Sequence, residues 1–251
     1  MNQQKIADVL RNSNRSTFAT THWSLVLSAA HGDSTVSRDA LGDLCALYWY
    51  PLYAYARRLG SSPEDAKDLV QGFFARVLQS QWLKKASKDK GRFRSWMLAS
   101  LQHHLADERD RSLAKKRGAG AALISLDVED GEHRYSREPQ DVMSPERLFD
   151  RRWALMVLDR VLERLRNEAE VQGNPGQFVA LQQTLPGGSG NRTYAQIAQD
   201  LGTTEGAIKV AVHRLRERYR KVLREEIAAT VLSPDQVDEE IRHLMDALAA
   251  G

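Results

Sequence analysis

Six Lys or Arg residues fall within IAQDLGTTEGAIKVAVHRLRERYRK (Ile197–Lys221), together with a glycine turn and a regular apolar stripe. Cations at helical spacing can neutralise phosphates, and the histidine and arginines among them can also donate to base edges in a major groove. At about 100° per residue, Ile208, Val212, Leu215, Tyr219 and Leu223 line one narrow stripe. Lys209, His213, Arg216 and Arg220 fall along one flank, with Val210, Arg214 and Lys221 beside them. The pattern predicts a helix with an apolar inner half and a cationic outer half. From Arg192 to Arg224 there are eight Lys/Arg against three Asp/Glu, a local balance of +5. A solvated amphipathic helix is the plainer alternative, but it needs neither that excess nor the turn that precedes it.

The turn has its own chemistry. Thr193 with Gln196 three residues later forms a capping box for YAQIAQDL, Gly202 suits the left-handed end of that helix, and Thr204 caps a second helix from Glu205. Two short helices joined this way read as a helix-turn-helix, with duplex DNA as the expected partner. Base readout is expected from Lys209, His213 and Arg214, with Val210 available to a thymine methyl. Arg216, Arg218 and Arg220 are expected on phosphate.

A second basic cluster, Lys84–Arg94, holds six cations and one acid, Asp89, and is followed closely by Trp96. Cations for a backbone and aromatics for stacking suit an unpaired nucleic-acid strand. Lys90, Arg92 and Arg94 are the expected phosphate ligands; Trp96 is a stacking candidate that better suits the core, because the helix it begins must bury something. Just upstream, SPEDAKDLVQGFFARVL places Asp68, Gln71 and Ala75 on one helical face, while Leu69, Phe73 and Val77 point elsewhere. With Asp65, this face suits either a polar-rimmed protein interface or ordinary solvent.

The elements that must carry these groups are helical throughout. A helix is predicted over about Ser37–Leu59, with Pro51 expected to kink or divide it. Ser62 and Pro63 start another, and a third runs from about Ser95 to Leu113. THWSLVLSAA (Thr21–Ala30) reads as a short helix. The Gly-rich, charged stretch after Arg117 reads as a linker of low helical content, in which LISLDV is a local extended piece. Ser144 and Pro145 restart a helix whose apolar face is predicted from Leu148, Leu155, Leu158, Leu162 and Leu165. GNPG and PGGSGNR bracket the short helix FVALQQTL. The fold class is all-α: two helical domains joined by a long linker, the C-terminal one containing the helix-turn-helix.

Composition narrows the function. Apolar residues make up 42% and charged residues 27%, as in ordinary globular domains, and the net charge of +3 does not by itself mark a nucleic-acid binder. The signal lies in blocks of alternating sign, for Glu225–Gly251 carries seven acids against one Arg. Cys45 is the single cysteine and reads as a small buried hydrophobe, so no intramolecular disulfide is possible. No signal-peptide core or membrane-length apolar run is found, so the cytoplasm is the expected location and no membrane partner is expected. No nucleophile–base pair or phosphate loop emerges from the spacing, and His103 with Asp107 lacks a third metal ligand. No enzyme activity, catalytic residue, metal or cofactor is expected.

Taken together, TYAQIAQDLGTTEGAIKVAVHRLRERY, SPEDAKDLVQGFFARVL and RFRSWMLASLQHHLADERDR resemble the extracytoplasmic-function subfamily of sigma-70 family RNA polymerase sigma factors. The resemblance implies that the first block is region 4, which reads the −35 element through Lys209, Val210, His213, Arg214, Arg216, Arg218 and Arg220. It implies that the second is region 2.2, which docks on the clamp helices of the polymerase largest subunit through Asp65, Asp68 and Gln71. The third resembles regions 2.3 and 2.4, which melt and hold the −10 element, here through Lys90, Arg92, Arg94, Trp96 and His103. His103 stands where the family usually has Asn, and Val210-Ala211 replace its Ser-Arg, so neither promoter sequence carries over.

The implied organisation is a region 2-like domain over 20–115, a linker over 116–143, a region 4-like domain over 144–228 and an acidic extension over 229–251. The implied partners are RNA polymerase core and promoter DNA, with an anti-sigma or other regulator as a further candidate. A helix-turn-helix regulator that binds duplex DNA without joining polymerase is the alternative function. The acidic extension is a candidate to fold against the recognition helix, to stay solvated, or to dock a regulator.

Overall fold

The computed structural model describes residues 35–77, 92–114, 128–136, 143–186, 188, 190, 192–231 and 233–249. Every regular element among the described residues is helical, as the sequence predicts. The expectations for Thr21–Ala30, for Lys90 and for LISLDV up to Asp127 lie outside the described residues. None of the described helices is long and apolar enough to cross a membrane.

Contacts divide the chain into two units, one formed by Met1–Leu155 with Ile227–Gly251 and the other by Met156–Glu226. The first unit is built on α1 (Thr35–Arg58), α2 (Pro63–Val77) and α3 (Phe93–Ala114). Pro51 neither divides nor ends α1. Gly60 does close the turn that follows, at φ +93°, a conformation costly to any residue with a Cβ. Ser62 then caps α2, accepting from the Asp65 amide at 3.1 Å and donating to its carboxylate at 2.7 Å. Ala66, Val70, Phe73, Phe74 and Val77 of α2 are buried, as are Tyr48, Leu52 and Tyr53 of α1 and Phe93, Met97 and Leu101 of α3. Cys45 lies in this core, where burial pushes its thiol pKa up to about 12.

The predicted linker contains a helix, α4 (Val128–Tyr135), where low helical content was expected. Its sequence, VEDGEHRY, has few apolar residues, so periodicity gives no sign of it; its order comes from polar and aromatic contacts with α1. Glu132 accepts from Arg57 at 2.8 and 2.9 Å and from the Tyr53 hydroxyl at 2.7 Å. The Arg57 guanidinium lies 4.9 Å from the Tyr135 ring centroid, and that of Arg134 lies 4.0 Å from Tyr50. A Cβ on Gly131 would stand 3.1 Å from the Trp49 ring, so only glycine lets α4 lie this close without a shift.

α5 (Pro145–Val171) begins where Ser144 accepts from the Arg147 amide. Its buried positions are Leu148, Phe149, Trp153, Ala154, Val157, Val161, Leu165 and Ala169, whereas Leu155, Leu158 and Leu162 are only half-buried. The predicted leucine face is therefore displaced. Steps of four residues advance about 40° round a helix, so the buried line from Trp153 to Ala169 winds as it goes. Pro145–Leu155 belongs to the first unit and the rest of α5 to the second.

The second unit continues with α6 (Pro175–Leu181), α7 (Tyr194–Asp200) and most of α8 (Glu205–Ala228). Its core contains Ala180, Leu181, Ile197, Ala198, Ile208 and Val212. After α8 the chain passes through Ala229–Gln236 into α9 (Val237–Ala249), which rejoins the first unit.

Glu132→Ala should cost about 1 kcal/mol of unfolding free energy, since a part-exposed carboxylate that accepts several hydrogen bonds is lost. Hydrogen exchange should show the loss of protection concentrated in residues 128–135; protection unchanged there would mean that Glu132 does not hold α4.

Candidate nucleic-acid and polymerase interfaces

α7 and α8 bear out the predicted caps in detail. Thr193 accepts from the Gln196 amide at 3.3 Å, and the Gln196 side chain accepts from the Thr193 amide at 2.8 Å. Gly202 adopts φ +61°, and Thr204 accepts from the Ala207 amide at 3.2 Å. The residues between α7 and α8 are Leu201–Thr204, a tight turn between two capped helices.

Ile208, Val212, Tyr219, Val222 and Leu223 bury the inner side of α8. Opposite them, Lys209, Val210, His213, Arg214, Arg220 and Lys221 are exposed, with the His213 side chain 72% accessible. Lys209 pairs with Glu205 at 2.8 Å, and His213 lies 3.6 Å from Glu217, both exposed contacts within one helix. An open groove of about 680 Å³ beside α8 is lined by Val210 and Arg214 among others, so that edge of the exposed face is not covered.

Arg216 and Arg218 behave differently. They lie at the two margins of the polar arc, close enough to the core to reach acceptors within their own unit. Arg216 donates to the Thr184 carbonyl through both Nε and Nη2, at 3.1 and 2.8 Å. Arg218 holds Glu168 of α5 through Nε at 2.7 Å and Nη2 at 2.5 Å. That two-pronged hydrogen bond keeps the Glu168 carboxyl below its ordinary pKa, against the opposing effect of burial. The first acids of the C-terminal block join this lattice, with Glu225 on Arg164 at 2.5 Å and Glu226 on Arg160 at 3.5 Å.

In the first unit, Asp65 and Asp68 are exposed on α2, and Gln71 is half-buried on the adjoining turn. Their face is opposite the one that Ala66, Val70, Phe73 and Val77 bury. The flank next to it is closed by α3, where Arg76 donates to Asp107 at 3.0 Å and meets His104 at 3.1 Å. Asp107 thus faces an arginine, and His103, one position before the buried His104, is exposed.

The described arginines expected on an unpaired strand are held by carboxylates of the protein itself. Arg94 is 4% exposed; its Nε donates to Glu240 at 2.6 Å, its Nη1 donates to Asp150, and its guanidinium sits 4.9 Å from the Trp153 centroid. Arg92 pairs with Glu239 at 2.5 Å and with Glu240 at 2.8 Å. Trp96 is buried at 7% exposure, with its ring centroid 5.4 Å from that of Phe93. Phe93 in turn meets Tyr48 edge-on, and its amide reaches the Thr230 carbonyl at 3.4 Å. Of the two roles open to Trp96, this structure has the core one. Glu239, Glu240 and Asp150 were not anticipated as partners; the one sequence signal was the acidic block at the C-terminus against the basic block before Phe93.

Residues 48–112, which span α1 from Tyr48, α2 and most of α3, match the family model of sigma-70 region 2. Over these residues the chain is similar to the sigma-70 family. The matched residues include Asp65, Asp68, Gln71, Arg92, Arg94, Trp96 and His103, and the match supports a sigma-factor role in promoter recognition by RNA polymerase. Neither the curated proteins nor the solved structures gave a match.

Glu168→Gln should destabilise the second unit by about 1–2 kcal/mol at neutral pH. Because the folded carboxyl titrates lower than the unfolded one, its contribution is complete above the unfolded value of about 4.3 and fades as pH falls through the folded value. Chemical denaturation of wild type and variant should therefore converge in acid, once the pH has fallen below the folded-state pKa of Glu168. A gap that stays constant into acid would mean that the Arg218 clasp is not the source.

Proposed function

We propose that this chain is a sigma factor of the extracytoplasmic-function type, which brings RNA polymerase core to a promoter, contacts the −35 duplex and opens the −10 element. The observation that carries the reading is the sigma-70 region 2 match at residues 48–112, in a chain that also holds two helices joined by a tight turn, the second with an exposed cationic arc. A duplex-only regulator would leave the first of these without a task.

The division of labour follows from exposure and charge. In the helix-turn-helix, α8 enters the major groove with its outward arc, and Lys209, His213 and Arg214 meet base edges. Val210, 51% exposed, is placed for a thymine methyl. Arg220 takes a phosphate, while Arg216 and Arg218 brace the helix on Thr184 and Glu168 and set its angle to the DNA. In region 2, Asp65, Asp68 and Gln71 meet the clamp helices of the polymerase largest subunit. Lys90, Arg92 and Arg94 serve the −10 strand, with His103 on the exposed side of α3. Trp96 shapes the base of that surface from below.

The polymerase supplies catalysis and this chain supplies address and melting, so no cofactor or metal enters the scheme. The cytoplasm, where polymerase works, is its proposed location. An anti-sigma protein or other regulator is a further proposed partner.

Asp68→Arg should reduce capture of purified core polymerase at least tenfold, a loss of about 1.4 kcal/mol, while leaving binding to an isolated −35 duplex unchanged. Equal capture by both proteins would contradict the α2 assignment. Arg214→Ala should cost about 1–3 kcal/mol at one promoter position, whereas Arg220→Ala should weaken all sequences alike and flatten the salt dependence. Identical losses on every promoter variant, measured by titration at several salt concentrations, would contradict that split.

A further inference from the structure

α9 places three acids in its first turn, Asp238, Glu239 and Glu240. Two of them take the guanidinium groups of Arg92 and Arg94, the described arginines assigned above to the −10 strand. A guanidinium fork binds carboxylate and phosphate through the same N–H donors, so a strand phosphate and α9 cannot hold these groups together. The contact is graded from outside to inside. Glu239 has a side chain 62% exposed and Arg92 one 23% exposed, whereas Glu240 is fully buried and Arg94 nearly so. The outer pair can open while the inner one still holds.

α9 is also built to stay where it is until displaced. Val237 and Leu244 are buried, and His243 approaches Asp150 at 3.8 Å, the same carboxylate that takes Arg94. A short segment links α8 to α9, and in it the Thr230 carbonyl accepts from the Phe93 amide. Of the C-terminal acids, Glu239 and Glu240 pair with Arg92 and Arg94.

We propose that α9 is a displaceable lid on region 2, whose carboxylates occupy Arg92 and Arg94 until a single nucleic-acid strand takes them. The inference rests on the assignment of Arg92 and Arg94 to strand phosphates. The lid lowers the affinity of the free chain for single strands, and opening it is part of strand capture.

The test measures binding of a mixed-sequence single-stranded deoxyoligonucleotide by fluorescence anisotropy, with the full chain alone and bound to core polymerase. Glu239→Gln should raise the free chain's affinity about threefold, and Glu239→Gln/Glu240→Gln about tenfold, because fewer anions compete for the same donors. Unchanged affinity would overturn the lid, and reduced affinity would show that α9 props the arginines in place for the strand. Should the double variant not fold, the exposed Glu239 variant decides. In wild type, amide exchange over residues 237–249 should speed up when the oligonucleotide is added; unchanged protection also overturns the lid. Arg92→Ala separates the two readings. If it weakens strand binding by the core-bound protein while the glutamine variants change nothing, the lid fails and the strand assignment stands. If Arg92→Ala changes strand binding nowhere, the assignment fails and the lid with it.

Discussion

Arg94 is a charge in the protein interior, and much of the first unit is arranged to satisfy it. Glu240 comes from α9 and Asp150 and Trp153 come from α5, so three segments far apart in sequence meet on one guanidinium. Leaving such a buried charge without its partner typically costs about 3–5 kcal/mol, a large part of a small domain's stability. The C-terminal helix and the first turns of α5 are thereby parts of the N-terminal body.

The two cationic surfaces are consequently in different conditions. On α8 the outward arc is open, with Lys209, His213, Arg214 and Arg220 exposed and only weak pairs within the helix. Its two marginal arginines do structural work, since each reaches an acceptor beside the core. On region 2, carboxylates from α9 already fill the donors that a phosphate would use. Under the proposed function, one surface is open to a polyanion and the other would exchange one anion for another.

What was legible in the sequence was local. Caps and turns depend on a few neighbouring residues, so Ser62, Ser144, Thr193, Gln196, Gly202 and Thr204 each predicted their element. The inner stripe of α8 was equally plain, because one helix carries one clear period. What depended on distant partners was not. α4 has a polar sequence and owes its order to Arg57, Tyr53 and Trp49, some 75 residues earlier for the Arg57–Glu132 pair. The leucines of α5 suggested one face, while Trp153, Val157 and Val161 were the residues buried. Arg94 read as a phosphate ligand because nothing nearby in sequence announces Glu240. Blocks of opposite sign indicated that a pairing was available, but not which cations would take it.

Run-off transcription with purified core polymerase and a promoter library tests the central claim most directly, because it requires polymerase binding, promoter recognition and strand opening together. The account predicts transcripts starting at defined positions, from templates that share two separated sequence elements, only when this chain is added. Transcripts that are absent, or that start at scattered positions regardless of template, would contradict it.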